Sequence, residues 1–103
     1  MEDEAIAIKA RPTDNVATIF AEGIASGTTV AVLDASGSRM SVTVKDDIPY
    51  GHKVALCDIG AGDQVTKYGE EIGVATRDIN VGEHVHVHNL DSMRGRGDLE
   101  GKA

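Results

Sequence analysis

Three imidazoles stand at alternate positions in the run Gly82-Glu83-His84-Val85-His86-Val87-His88-Asn89. Imidazole is the commonest metal-binding side chain and the one that exchanges protons near neutral pH, so this run is a candidate for holding a metal or for acid–base work. In an extended strand, side chains at i, i+2 and i+4 leave from one face, which sets His84, His86 and His88 on a common surface and sends Val85 and Val87 toward the core. Spacing limits what the row can do. Alternate residues lie roughly 6.5 to 7 Å apart, so adjacent histidines can converge on one ion with bonds of about 2.1 Å, whereas the outer two, about 13 Å apart on a straight strand, cannot. A metal site here uses two of the three and a ligand from elsewhere, unless a bulge bends the strand. His52, the remaining histidine of the chain, is the natural candidate. A lone histidine on such a face would be read as a solvated side chain; three in register favour chemistry.

The elements that must position this row follow from turn residues and alternation. A four-fold echo, IxxGxxV, recurs as Ile24-Gly27-Val30, Ile48-Gly51-Val54, Ile59-Gly62-Val65 and Ile79-Gly82-Val85. Its irregular spacing argues against a solenoid. The physical reading is that each Ile plugs the core at a strand end, the Gly takes a turn with positive φ, and the Val begins the next strand. Asp58 and Asp78 precede two of the Ile residues at equivalent positions, which fits turn stabilisation better than catalysis, because Asp readily bonds local backbone N–H groups.

Strands are predicted at Ala5 to Lys9, Val16 to Phe20, Thr29 to Leu33, Arg39 to Lys45, Val54 to Cys57, Val65 to Tyr68 and Gly73 to Thr76. The third and fourth form a hairpin through Asp34-Ala35-Ser36-Gly37-Ser38, and Gly69-Glu70-Glu71 turns the chain between the last two. No 3.6-residue pattern is long enough for a substantial helix, although one turn fits near Ala21 to Ala25. Lys67 and Tyr68 read as packing and hairpin residues.

Composition bounds the rest. A chain of 103 residues is one domain large enough to fold alone. Aromatic residues are only 3%, so Val, Ile, Ala and Leu must build the core. The formal charge of −7 repels phosphate backbones and anionic membrane surfaces, which argues against nucleic acid and membrane partners. Met1-Glu2-Asp3-Glu4 carries no basic or apolar leader pattern and no apolar run reaches membrane-spanning length, so the expectation is cytoplasmic. The single cysteine, Cys57, has no partner for an intramolecular disulfide and is expected to be a small buried hydrophobe.

With these residues laid out, the chain resembles the SAF domain, a β-clip fold, of the altronate and galactarate dehydratase family. The carrying segments are Tyr50-Gly51-His52-Lys53-Val54-Ala55-Leu56, Asp58-Ile59, Lys67-Tyr68-Gly69 with Ile72-Gly73, and Gly82 through Asn89, over about residues 14 to 98. The resemblance implies a mostly β, compact domain of short strands. It divides the chain into an N-terminal segment 1–12 with a possible edge strand, the SAF domain at 13–91, and a flexible tail at 92–103. In full-length relatives this domain precedes a much larger segment that carries most of the substrate site. The resemblance therefore implies a small subunit of a lyase, inactive alone, that works with a large dehydratase subunit on a small-molecule sugar acid. Related small chains serve as the alpha subunit of sulfolactate sulfo-lyase, which is the alternative, together with a non-catalytic module that binds carbohydrate acids or proteins.

The resemblance also implies a divalent metal, iron(II) first. Elimination beside a carboxylate needs a base for a weakly acidic proton and help for the leaving group, and a divalent cation serves both ends. On this reading His86 and His88 are the catalytic candidates, His84, His86, His88 and His52 the metal candidates, and His52, Lys53 and Asn89 the substrate contacts. Lys53 would pair with the carboxylate of the acid, and Asn89 would orient an imidazole or cap the turn.

Overall fold

Every residue of Val16–Ile19 is buried, which a strand with one face in water cannot be. Its neighbours explain this. A computed structural model of the chain describes residues 5–92, and among them the chain is built of strands without a helix. They are β1 (Ala5–Lys9), β2 (Val16–Ile19), β3 (Thr29–Asp34), β4 (Arg39–Thr43), β5 (Lys53–Ala55), β6 (Gln64–Lys67), β7 (Glu70–Ala75), β8 (His84–Val85) and β9 (Leu90–Ser92). One sheet runs β4-β3-β1-β2-β5-β8 and a smaller one β6-β7-β9. All pairs are antiparallel except β1 with β3.

The larger sheet separates two apolar cores. Ala17, Ile19 and Val54 pack with Val30, Val32, Val42, Val44 and Ile48 on one side. Val16 and Ala55 pack with Ile59, Val65, Ala75, Ile79 and Val85 on the other. Both faces of β2 and β5 are therefore covered, and small β-branched side chains fill the space that aromatic rings occupy elsewhere. No aromatic residue belongs to either core.

The echoed motif is the joint of this architecture. Gly27, Gly51, Gly62 and Gly82 have φ between +85° and +95°, and the following valines Val30, Val54, Val65 and Val85 are completely buried. The isoleucines meet in pairs, Ile24 with Ile48 and Ile59 with Ile79. Around the second pair the bonds are reciprocal. Ile59 and Ile79 exchange N–H···O bonds of 2.7 Å each way, Gly62 N–H donates to Ala75 O at 2.8 Å, and Gly82 N–H donates to Ala55 O at 2.9 Å. Asp58 accepts the N–H of Val81 and Asp78 that of Ala61, so each aspartate holds the other repeat's turn. Around the first pair Asp47 does the same for Ser26. The turn-stabilising reading of Asp58 and Asp78 is the observed one.

Five details depart from expectation. β1 is an interior strand and not an edge, hydrogen-bonded to β2 on one side and β3 on the other, so residues 5–9 belong to the domain. The segment near Ala21 to Ala25 makes no helical turn, because Ile24 is committed to its bridge with Ile48. The β6–β7 turn is Tyr68-Gly69, with Lys67 facing Glu70, and Tyr68 is exposed and does not pack inward. Cys57 is exposed, because it falls in the bend that follows β5 and not within that strand. Val87 is 80% exposed, for a reason given below. The expected flexible tail lies, apart from Ser92, outside the described residues. No described helix is long and apolar enough to cross a membrane.

The Tyr68-Gly69 turn needs help, since Tyr68 is a non-glycine residue at φ 59° beside Gly69 at 74°. Positive φ at both central residues is the type I′ pattern, whose left-handed cost falls on the residue with a Cβ. Asp14 offsets it. Its buried carboxylate accepts N–H bonds from Gly69 at 2.8 Å, Tyr68 at 2.9 Å and Arg11 at 3.0 Å. Burial raises the Asp14 pKa, but backbone donors from Gly69, Arg11, Tyr68 and Ala10 together hold it below the ordinary 3.8. A depressed folded pKa means stabilisation that is complete above the unfolded value of about 3.9 and fades as pH falls through the folded value. Asp14→Ala is expected to cost about 2 to 4 kcal/mol at pH 7, read as a lower urea midpoint at unchanged slope. The difference from wild type should shrink below about pH 4. Equal midpoints at pH 7 would show that the turn holds itself.

Candidate metal centre

His52 and His84 are brought together by the β5–β8 pairing. Val54 faces His84 across the ladder, and alternation puts His52 on the face of Val54. Gly51, at φ 85°, delivers the chain into this strand, and His52 O is fixed by Ile19 N–H at 2.8 Å. The result is a contact of 2.9 Å between His52 Nδ1 and His84 Nε2, one ring donating and the other accepting. Two nitrogens bound to one ion by bonds of about 2.1 Å at right angles lie about 3 Å apart, so this pair has the spacing of shared ligands.

His86 joins them from outside the strand. β8 ends at Val85 and residues 86–89 turn. Asn89 makes that turn: its Oδ1 accepts the N–H of His86 at 3.0 Å, its Nδ2 donates to His84 O at 2.9 Å, and its own N–H donates to His86 O at 3.1 Å. The turn throws Val87 into solvent, which corrects the expectation that it lines the core. Asn89 itself is buried. Both ends of its amide bond the backbone, so it positions the histidines.

The ring of His86 stacks on that of His52, with centres 3.8 Å apart and planes 18° from parallel. The nitrogens of His52, His84 and His86 all lie within 4.8 Å of one another. Two near-parallel rings in face contact cannot aim their in-plane lone pairs at one point. His52 and His84 are therefore the closer pair, one of whose facing nitrogens carries the shared proton, and His86 would have to rotate out of the stack to offer a third nitrogen. His88 stands apart. Its exposed ring lies 5.0 Å from that of His84 at 41°, beside a groove of about 280 Å³ shared with Asp46, Arg77, Asp78, Glu83 and Asn89.

Electrostatics favour the neutral form of His84 and His86. Burial, then the neighbouring His88, His52 and His86, push the pKa of His84 down to about 4 against a smaller opposing pull from Asp46. Burial, then His52, Lys53 and His88, also lower His86. Neutral imidazoles are what a metal requires. The donor set suits a divalent ion that accepts nitrogen ligands, such as iron or zinc, and leaves further positions open.

Lys53 is half-buried beside this cluster, with its ammonium pKa lowered by burial and then by Lys67. Sequence reasoning missed Asp46, whose carboxylate accepts the N–H of His84 at 2.9 Å and pins the strand that carries it. Nothing local distinguishes it.

These features define a small all-β domain that carries an imidazole cluster on the edge of its larger sheet. Residues 5–93 match the model of the altronate/galactarate dehydratase SAF domain, and the chain belongs to that family. It is 46% identical over 100 residues to altronate dehydratase of Escherichia coli (strain K12), covering 90% of this chain and 19% of that enzyme. It is 48% identical over 65 residues to the (2R)-sulfolactate sulfo-lyase subunit alpha of Paracoccus pantotrophus, covering 63% of this chain and 97% of that subunit. A match to galactarate dehydratase (L-threo-forming) of Escherichia coli (strain K12) is 39% identical over 79 residues, 76% of this chain and 14% of that enzyme. The chain thus spans about a fifth or less of the dehydratases it matches and nearly all of a separately named subunit.

Proposed function

We propose that this chain is the small SAF-domain subunit of a metal-dependent carbon–oxygen lyase of the altronate/galactarate dehydratase type, acting on a sugar acid together with a large subunit. The observation that carries this reading is the His52–His84 pair at 2.9 Å with His86 stacked against it, on a domain of that family. A bound divalent cation, iron(II) first, would stabilise the charge that develops beside the substrate carboxylate and polarise the departing hydroxyl. His52, His84 and His86 would hold it. Lys53 supplies a positive group for the carboxylate, and His88, exposed next to His84, is placed to move a proton. The grooves of so small a domain are shallow, so its histidine edge forms one wall of a pocket whose other wall is the partner's. An exposed thiol at Cys57 suits the reducing cytoplasm.

The match to nearly the whole of a sulfo-lyase alpha subunit favours a second reading, elimination of sulfite from a sulfonated hydroxy acid. Both are tested by mixing the purified chain with a large subunit of each type and assaying altronate, galactarate and sulfolactate. Turnover by one mixture and by neither component alone is expected, and its substrate chooses between the readings. Absence of both association and turnover with either large subunit would refute them.

A further inference from the structure

The two isoleucine joints are built alike and closed differently. Ile59 and Ile79 bond each other in both directions, whereas the first joint makes only the bond from Ile48 N–H to Ile24 O, at 2.9 Å. The approach to each isoleucine explains the difference. Three motif glycines donate to a carbonyl four positions ahead of the opposite isoleucine, Gly27 to Val44, Gly62 to Ala75 and Gly82 to Ala55, but Gly51 donates to Ile19, five positions ahead of Ile24. One extra residue therefore enters before Ile24, and the place held by Asp47, Asp58 and Asp78, each directly ahead of its isoleucine, falls to Gly23 at φ 68°. Those three carboxylates accept the second N–H after the opposite isoleucine, that of Ser26, Val81 and Ala61. The fourth such N–H belongs to Tyr50, and it has no acceptor among the described residues. There the surface opens into a groove of about 380 Å³ lined by Gly23, Ile24, Ala25, Asp47, Ile48 and Pro49. Next to Pro49 stands one of two exposed rings in contact: Phe20 is 46% exposed and Tyr50 53%, and they meet edge to face with centres 5.9 Å apart. Exposed aromatic rings beside an apolar groove, with a donor that lacks its acceptor, have the make-up of an interface core.

What the Tyr50 corner lacks is shown by its three counterparts, and it is a carboxylate. We propose that this groove docks the large subunit, which sets the carboxylate of an aspartate or glutamate on the Tyr50 N–H and an apolar side chain in the groove against the Phe20–Tyr50 pair. The identity of the partner rests on the lyase reading, but the acceptor it must bring does not. Tyr50 and His52 lie at most about 7 Å apart along the chain, on the segment that Ile19 holds through Gly51 N–H and His52 O. A subunit seated on the groove therefore also reaches the histidine edge.

The test is association of the full chain with a large subunit of each type, read by sedimentation velocity and calorimetry. Phe20→Ser and Tyr50→Ser are each expected to weaken association about tenfold or more, as loss of an aromatic anchor does. Gly23→Asp should weaken it by about as much, because it puts this chain's own carboxylate where the partner's must sit. A Cβ at Gly23 meets no atom within 4 Å, and aspartate tolerates positive φ. Gly37→Asp is the control. It makes the same change at φ 92° and in equally open space, but in the β3–β4 hairpin, and should leave association unchanged. Amide hydrogen exchange gives a readout that needs no variant: the Tyr50 N–H should exchange about tenfold or more slowly in the complex than in the free chain. Wild-type affinity in Phe20→Ser, Tyr50→Ser and Gly23→Asp, equal weakening by Gly37→Asp, or unslowed exchange at Tyr50 in a formed complex overturns the docking site and leaves the lyase reading standing. Failure of the wild-type chain to associate with either large subunit overturns both.

Discussion

His84→Ala is expected to lower the affinity of the chain for a divalent metal by about a hundredfold or more, equivalent to about 2.7 kcal/mol. The expectation rests on the contact between His84 Nε2 and His52 Nδ1 at 2.9 Å, which sets two ring nitrogens within reach of one ion once the proton they share is displaced. His86→Ala should also weaken binding, but by less, because that ring must first leave its 3.8 Å stack on His52. It should nonetheless lower turnover of the assembled enzyme severely, since the third nitrogen fixes the ion's open positions. His88→Ala is the control: it lies outside the three-histidine set and should retain metal within about twofold. Anaerobic calorimetry with iron(II), repeated with cobalt(II) for its visible spectrum, reads all three variants. Wild-type metal affinity in His84→Ala would remove the cluster as the metal centre.

The second large effect concerns a glycine whose repeat partners look identical in sequence. Gly82 has φ 91°, and a Cβ there would sit 2.5 Å from Thr43 O and 3.4 Å from Lys45 Cγ. Gly62, its counterpart at φ 88°, has open space around the same position. Gly62→Ala should therefore cost only the left-handed backbone penalty of about 1 to 2 kcal/mol, whereas Gly82→Ala adds a backbone collision and should cost about 3 to 5 kcal/mol. For a domain of this size that difference corresponds to about 10 to 20 °C in melting temperature. Gly82 also accepts the N–H of Lys45 at 2.8 Å. Its displacement would disturb the segment bearing Asp46, which holds the His84 N–H, so metal affinity should fall together with stability. Equal melting temperatures for the two variants would show that φ alone governs both sites.

That contrast marks how far the sequence could be read. The positive φ of Gly62 and Gly82 followed from the motif, because a turn between strand segments needs the same backbone geometry wherever it occurs. What crowds one glycine and not the other is the passage of Thr43 and Lys45, about forty residues earlier in the chain. The burial of the repeated Ile and Val residues was legible for the same local reason, and so were the turn roles of Asp58 and Asp78. β2 was recognisable as a strand. Its burial on both faces was not, since the sequence Val16-Ala17-Thr18-Ile19 does not say that a second core lies behind the sheet.

The histidine row shows the same division. Alternation alone placed His84, His86 and His88 near one another, and spacing alone required a ligand from elsewhere. Extended geometry fails after Val85, however, because Asn89 uses both ends of its side-chain amide to bend the chain back on His84 and His86. This exposes Val87 and separates His88 from the set. The sequence by itself determined the short strands, the glycine joints, the aliphatic core and a concentration of imidazoles, all properties of neighbouring residues and the backbone angles they permit. Tertiary structure decided that β5 and β8 lie side by side, and with that which imidazole meets which. Contacts between residues 32 positions apart, such as His52 and His84, depend on the pairing of strands in space, and no local periodicity encodes it.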